Sequence, residues 1–173
     1  MKRIALILIA ALALNVGYAQ KAKVVSAYNY LRNGQLDKAK EAIDQTITHE
    51  KTMSDAKTWF YRGNIYINLH LTDEEQYQPL KEGALQIAEE AYNKSMELDA
   101  KQQYQADIMQ RLPIIAAEYY NAGVNGYNLK DYKAASESFK NAITLKQKWG
   151  EVDSLAIYNA GLCAELDGNS ALA

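Results

Sequence analysis

The segment from residue 59 to residue 70 constrains the fold of this chain more than any other feature. Trp59, Gly63 and Tyr66 are spaced four and three residues apart, which places them on one face of a helix. The glycine lets a neighbouring helix approach closely, and the aromatic rings fill the space above and below it. The three-residue step recurs at Ala27 and Tyr30, Gly123 and Gly126, and Gly161 and Ala164. The chain is therefore predicted to contain several helices that pack closely against a partner helix.

A second pattern has a small residue, a large apolar residue four positions later and a small residue three positions after that. It occurs at Ala39, Ile43 and Thr46, at Ala88, Tyr92 and Ser95, and at Ala135, Phe139 and Ala142. The step from the first pattern to the second is nine residues in two copies, Tyr30 to Ala39 and Gly126 to Ala135. Residues 33–35 and 129–131 supply the matching turns. These spacings predict repeated helical hairpins.

Together the two patterns resemble the tetratricopeptide repeat (TPR), a helical hairpin used in interaction modules rather than enzymes. The resemblance implies an all-α fold in which TPR-like hairpins form a right-handed α-solenoid. The implied units are about 20–53, 56–100, 113–146 and a partial fourth unit at 152–173. In such units the small residues lie where the helices of a hairpin cross, and the large residue packs into the next repeat. Only two prolines and nine glycines agree with an all-helical chain.

Two insertions separate the repeated patterns. Residues 71–82 lie between the helices of the second unit, and residues 101–112 lie between the second and third units. Thr72 to Glu75 has the spacing of a capping box, which predicts a short extra helical turn. Both insertions are interpreted as loop decoration, with a docking element as the alternative. Pro113 either begins the next helix or kinks one long helix, and the sequence leaves both possibilities open.

The first 19 residues are typical of a secretory signal peptide. Lys2 and Arg3 are basic, residues 4–14 are apolar, and residues 17–19 form a small-x-small cleavage site. The apolar run makes a helix about 16 Å long, against about 30 Å of hydrocarbon to cross, so a permanent anchor is not expected. Residues 20–173 are then one helical repeat domain without stable membrane insertion. The expected location is the periplasm or cell envelope of a Gram-negative bacterium.

The charge balance argues against nucleic acid as a partner. The chain has 19 basic and 21 acidic residues, and removal of Lys2 and Arg3 leaves 17 against 21, a net charge of −4. Binding to phosphates needs concentrated positive charge, and the sequence has no basic block. We therefore expect a protein or peptide partner.

Motifs for catalysis are lacking in the sequence. It has no glycine-rich phosphate loop, no nucleophile elbow and no paired-histidine zinc motif. His49 and His70 are the only histidines, and they belong to different units, whereas a stable metal site needs three or four converging ligands. Cys163 is the only cysteine and is predicted to be a small buried thiol. We therefore expect a protein that is not an enzyme and has neither a cofactor nor a metal.

The resemblance implies a binding surface, because the first helices of TPR units line a concave face. The partner-binding residues that it implies are Tyr28, Arg32, Phe60, Asn64, Asn68, Tyr120, Tyr127 and Asn128. Aromatic rings supply apolar area, and amides bond to the backbone of an extended peptide or partner helix. Val24, Phe60 and Tyr120 stand where a carboxylate clamp needs polar side chains, so a clamp is not expected. The expected function is a non-catalytic scaffold or adaptor for protein–protein interaction.

Two other functions stay open. Ala173 falls nine residues after Ala164, where a fourth second helix would begin, so the chain is interpreted as truncated or as covered there by a partner or second copy. One alternative is therefore a structural segment of a larger envelope assembly. Another is a glycan-binding protein, with Trp149 the best candidate for an exposed aromatic. The sequence does not determine the oligomeric state.

Overall fold

The computed structural model describes residues 20–168, and the predicted signal peptide lies outside them. Helices connected by short loops make up this part of the chain, which contains no strand, so the all-α prediction is confirmed. Residues 20–32 are the described part of helix α1. The other α-helices are α2 (Leu36–Asp44), α3 (Glu50–Met53), α4 (Ala56–Leu71), α5 (Ala84–Leu98), α6 (Gln105–Asn128), α7 (Tyr132–Gln147) and α8 (Ser154–Leu166), and a 3₁₀ helix (Glu75–Leu80) lies between α4 and α5.

The chain divides into two compact units near the start of α6, between Ala106 and Asp107. In the first unit α4 packs against both α2 and α5. In the second unit α7 packs against α8, and α6 approaches α7 so closely that a Cβ at Gly126 would lie 3.1 Å from the backbone N of Ala135. The first two predicted hairpins thus fall in the first unit, and the third hairpin and α8 fall in the second.

The small-large-small pattern of the second helices marks the core. All nine of its residues are buried, at most 1 % exposed: Ala39, Ile43, Thr46, Ala88, Tyr92, Ser95, Ala135, Phe139 and Ala142. The Tyr92 ring packs against Gly63, and the Phe139 ring packs against Gly123, so each large residue faces the glycine of its own hairpin. Phe139 also clusters with Ala160 and Cys163 of α8, so it contacts the helix that follows its own hairpin. The hairpin spacing therefore identified the core correctly.

The two predicted turns have the same backbone geometry. Gln35 N–H donates to the carbonyl of Tyr30 at 2.9 Å, and Asp131 N–H donates to that of Gly126 at 2.9 Å. A hydrogen bond from an N–H to the carbonyl five residues earlier is typical of the Schellman motif at a helix C-terminus. In this motif the residue just past the end of the helix adopts the left-handed conformation. That residue is Gly34 in the first turn, with φ +70°, and Lys130 in the second, with φ +62°. Because a lysine is strained there and a glycine is not, the second turn is the weaker one.

Substitutions at these two positions are expected to change the free energy of unfolding in opposite directions. Lys130→Gly removes the strain of a left-handed lysine and should raise the free energy of unfolding by about 1 kcal/mol. Gly34→Ala introduces the same strain, although a Cβ at residue 34 would meet no atom within 4 Å, and should lower it by about 1 kcal/mol. Urea denaturation of both variants measures the two shifts, and shifts of equal sign would contradict the shared turn geometry.

The insertion at residues 71–82 folds onto the first turn. It contains the 3₁₀ helix, which confirms the predicted helical turn, although the Thr72 hydroxyl accepts from Glu74 N–H at 3.3 Å and not from Glu75. Tyr77 is buried, and its hydroxyl donates to the carbonyl of Gly34 at 2.7 Å and accepts from Leu36 N–H at 3.3 Å. Tyr77 therefore fixes the insertion to the first turn, and the interpretation of residues 71–82 as loop decoration was wrong.

Two further details differ from the expected units. The short helix α3 was not predicted, and it begins where the His49 ring Nδ1 accepts from Lys51 N–H at 3.2 Å. Pro113 lies inside α6, which starts at Gln105, so the long-helix alternative is the correct one. The first helix of the third predicted repeat, 113–146, therefore begins before residue 113 and includes part of the 101–112 insertion.

The remaining expectations about composition concern membrane contact and cysteine. Among residues 20–168, no helix has the length and apolar character needed to cross a membrane. Cys163 is buried as predicted, and burial raises the pKa of its thiol above the usual value. This thiol therefore serves as a small core residue between α7 and α8.

Candidate functional site

A groove in the second unit runs between α6 and α8. On α6 it is lined by a stripe at helical spacing, formed by Pro113, Ala117, Tyr120, Asn121, Val124 and Tyr127. On α8 the opposite stripe consists of Leu155, Asn159 and Leu162, at positions i, i+4 and i+7. The α6 stripe runs over 15 residues, from Pro113 to Tyr127, and its ends are about 21 Å apart along the helix. We refer to these two stripes and the space between them as the α6–α8 groove.

The groove contains a wide cleft and a narrow cleft. The wide cleft has a volume of about 390 Å³ and lies between the first half of the α6 stripe, the loop after α7 and Leu155. The narrow cleft has a volume of about 230 Å³ and lies between Val124, Tyr127, Asn159 and Leu162, with Phe139 of α7 beneath. Both have mainly apolar walls, which favours a ligand that buries apolar surface.

A hydrogen bond crosses the groove between the two clefts. The Asn159 side-chain N–H donates to the Tyr120 hydroxyl at 3.1 Å. The Tyr120 ring also packs edge-to-face on Phe139, with ring centroids 5.2 Å apart. Because Tyr120 is held by both contacts, this wall of the groove is preorganised and loses little freedom when a ligand binds.

The wide cleft has one charged corner, formed by Lys146, Glu151 and Asp153. The Lys146 ammonium donates to Glu151 at 2.8 Å and to Asp153 at 2.9 Å. The indole N–H of Trp149 donates to Glu151 at 2.9 Å, and Ala156 N–H donates to Asp153 at 2.9 Å at the start of α8. The loop after α7 is thus fixed by its own polar side chains.

The charges of this corner are stable near neutral pH. The hydrogen bond from Lys146, and to a smaller extent that from Trp149, lowers the pKa of the Glu151 carboxyl below its usual value. The hydrogen bond from Ala156 N–H, and to a smaller extent that from Lys146, lowers the pKa of Asp153. The hydrogen bonds to Glu151 and Asp153 raise the pKa of Lys146. The charged corner therefore carries two negative charges and one positive charge.

The predicted site residues of the second unit lie in or beside the groove. Tyr120 lines the wide cleft and Tyr127 lines the narrow one, where Tyr127 also packs edge-to-face on Tyr132 with centroids 5.8 Å apart. Asn128 is exposed at the last position of α6. Trp149, predicted to be exposed, is half-buried and lines the wide cleft. The structure thus brings Tyr120 and Trp149 together.

In the first unit, two predicted site residues are placed differently from the expectation. Phe60 and Asn64 are buried, and the side-chain Oδ1 of Asn64 accepts from the Tyr92 hydroxyl at 2.7 Å. Phe60 stacks on Tyr104 with centroids 4.7 Å apart. These two side chains stabilise the core, because the hydroxyl of a buried tyrosine needs a partner. Their predicted exposure to a ligand was wrong.

The other predicted residues of the first unit are more accessible. Tyr28 is half-buried and stacks on Tyr61 with centroids 4.8 Å apart, and the Arg32 guanidinium lies 5.7 Å from the Tyr28 ring centroid. Asn68 is exposed, and its side-chain N–H donates to the backbone carbonyl of Asn64 at 2.7 Å. Many of the thirteen tyrosines of the chain make such ring contacts, which accounts for part of this unusual content.

The sequence pattern missed the charged corner and Asn159. Lys146 lies in the last turn of α7, and Glu151 and Asp153 follow in the short loop before α8. Asp153 three residues before Ala156 is a helix N-cap spacing, and this signal could have located the loop. The pairing with Lys146 depends on how the loop folds back, which spacing alone does not give.

Within residues 20–168, no group of three or more histidine, cysteine or acidic side chains is arranged to hold a metal ion. The chain matches no protein-family model, no curated protein and no solved structure. The α6–α8 groove is therefore the feature from which a function is argued.

Proposed function

We propose that this protein is a non-catalytic interaction module that binds a peptide segment of a partner protein in the α6–α8 groove. The observation that carries the proposal is a largely apolar groove with aromatic residues and amides at fixed positions. Tyr120, Val124, Tyr127 and Leu162 offer apolar surface, and Asn121 offers an amide for backbone groups of the ligand. In this proposal the hairpins are TPR-like repeats of a right-handed α-solenoid, exported to the cell envelope.

The dimensions of the groove suit a short segment. A span of about 21 Å accommodates about six residues of extended chain at 3.3–3.4 Å per residue, or about four turns of helix. The helices on both sides hold the lining residues, so most of the ordering occurs on the side of the peptide. Such a ligand needs no cofactor, and its binding needs no chemical step.

Placing a charge in the groove is expected to abolish this binding. Val124→Glu and Tyr127→Glu each introduce a carboxylate on an exposed part of the apolar wall of the narrow cleft, so they should weaken peptide binding at least about tenfold without loss of helicity. Ile114→Glu makes the same change at an exposed α6 residue outside the groove and serves as the control. Circular dichroism checks the fold of all three variants.

The ligand class is tested with a photo-reactive amino acid at residue 124 and, as control, at residue 114. After irradiation in envelope extract, mass spectrometry should find polypeptide adducts at residue 124 that disappear with Tyr127→Glu. Equal adducts at both positions would contradict the groove as a binding site. A saccharide adduct at residue 124 would favour the glycan alternative, which the position of Trp149 in the wide cleft makes worth testing.

A second candidate function is permanent assembly through α8. Leu155 is 60 % exposed and Tyr158 is 66 % exposed, whereas Ala156 and Ala160 bury the opposite side of the helix. A helix that is apolar on several sides is usually covered on several sides. A stable oligomer in sedimentation experiments that Tyr158→Glu dissociates would favour this structural role over that of an adaptor.

A further inference from the structure

We propose that the α6–α8 groove selects peptides in which a basic side chain, above all arginine, stands about three positions from a bulky apolar side chain. This inference rests on the proposed function and adds the chemistry of the ligand. The basic side chain would lie at the charged corner of the wide cleft, and the apolar side chain would enter the narrow cleft.

The charged corner is incompletely neutralised. One ammonium group, Lys146, serves two carboxylates, so the corner retains one net negative charge. The Glu151 carboxylate accepts two hydrogen bonds in the structure and has lone pairs for about two more, whereas the Asp153 side chain is only 15 % exposed. The Glu151 side chain is 49 % exposed and is therefore accessible to a ligand from the cleft. A second cation is thus the group that complements this corner.

Aromatic side chains in the same cleft favour arginine over lysine. Tyr120 and Trp149 line the wide cleft together with Glu151. A guanidinium can stack on an aromatic face while its N–H groups donate to a carboxylate, whereas an ammonium is a compact and strongly hydrated charge. The α6 wall of this cleft adds no positive charge, because its lining residues are Pro113, Ala117, Tyr120 and Asn121.

The narrow cleft selects a different side chain. Its lining residues Val124, Tyr127, Phe139, Asn159 and Leu162 carry no formal charge, and four of them are apolar or aromatic. A leucine, methionine or phenylalanine would therefore fit, and a charged side chain would lose its hydration. Ala117 and Val124 mark the two clefts on α6 and are separated by about 10 Å of helix, which equals about three residues of extended peptide.

The experiment selects random twelve-residue peptides, displayed on phage, on the immobilised chain. Enriched peptides should pair arginine or lysine with a bulky apolar residue about three positions away. The affinity of the best peptide, made synthetically, should fall at least about tenfold with Glu151→Gln/Asp153→Asn, in which the asparagine still caps α8. It should rise about threefold with Lys146→Gln, because the corner then carries two unopposed negative charges.

One control separates the effect of the local charge on the affinity from the effect of the net charge of the chain. A second control separates this inference from the proposed function. Glu137→Gln removes one negative charge at an exposed α7 residue outside the groove and should leave the affinity unchanged. Peptides that lose binding with Val124→Glu but lack a basic residue, or that ignore the Glu151 and Asp153 changes, would overturn the basic anchor and leave the groove function standing. If no enriched peptide responds to Val124→Glu, both proposals fail.

Discussion

Replacing Phe139 with alanine is expected to lower the free energy of unfolding by about 3–5 kcal/mol, the range for removal of a buried phenylalanine ring. Phe139 is 1 % exposed and contacts two other helices at once. Its ring packs on Gly123 of α6, clusters with Ala160 and Cys163 of α8, and lies below the narrow cleft. Truncation leaves a cavity that α6 and α8 can close only by moving together, so the groove should also lose its peptide.

Urea denaturation followed by fluorescence measures this effect in the second unit. The chain has two tryptophans, Trp59 in the first unit and Trp149 in the second, so a Trp59→Phe background reports on Trp149. Tyr158→Ala removes an exposed ring from α8 and should change the stability by no more than about 0.5 kcal/mol. A similar loss in both variants would show that Phe139 has no special place in the core.

Replacing Gly63 with alanine is expected to cost about 2 kcal/mol, although alanine has the higher helix propensity. A Cβ at residue 63 would lie 2.5 Å from Tyr92 Cδ1 and 2.9 Å from Tyr92 Cζ, well inside contact distance. The ring cannot swing away, because it is fully buried and its hydroxyl donates to Asn64 at 2.7 Å. A contact this short belongs at the upper end of the usual overpacking cost, about 3 kcal/mol, so about 2 kcal/mol remains after the gain of about 1 kcal/mol in propensity.

A double-mutant cycle identifies the Tyr92 ring as the cause. In a Trp149→Phe background, which reports on Trp59, Gly63→Ala should be tolerated better by at least about 1 kcal/mol when Tyr92→Leu has made room. Gly126→Ala is the milder comparison, because a Cβ there would lie 3.1–3.2 Å from Ala135. If Gly63→Ala were as mild as Gly126→Ala, the close packing of α4 and α5 would be refuted.

The repeated spacings predicted the parts of the fold that depend on local geometry. A helix turns by a fixed angle per residue, so residues three and four apart share a face whatever surrounds them. The nine pattern residues of the second helices are therefore buried as expected, and the turns at Gly34 and Lys130 close in the same way. The long helix through Pro113 could not be decided, because a proline suits both a first helical turn and a kink.

The candidate site was only partly predictable. The resemblance implied Tyr120 and Tyr127 as partner-binding residues, and both line the groove, because residues seven apart share one face of α6. Phe60 and Asn64 were misplaced because the same period does not tell which neighbour covers a face, and Tyr92 and Tyr104 cover them. The charged corner joins the end of α7 to the following loop. The conformation of a loop does not follow from a regular spacing of residues, as the face of a helix does.

The sequence by itself determined the longer helices, the buried face of the second helix of each hairpin and two of the turns. Only the tertiary structure decided that Tyr77 fastens an insertion to the first turn, that Asn64 supports Tyr92, and that Lys146 lies between Glu151 and Asp153. The helices and turns depend on the spacing of residues a few positions apart, which can be read directly from the sequence. The other features depend on contacts between distant segments, whose partners are chosen by burial and charge once the helices have packed.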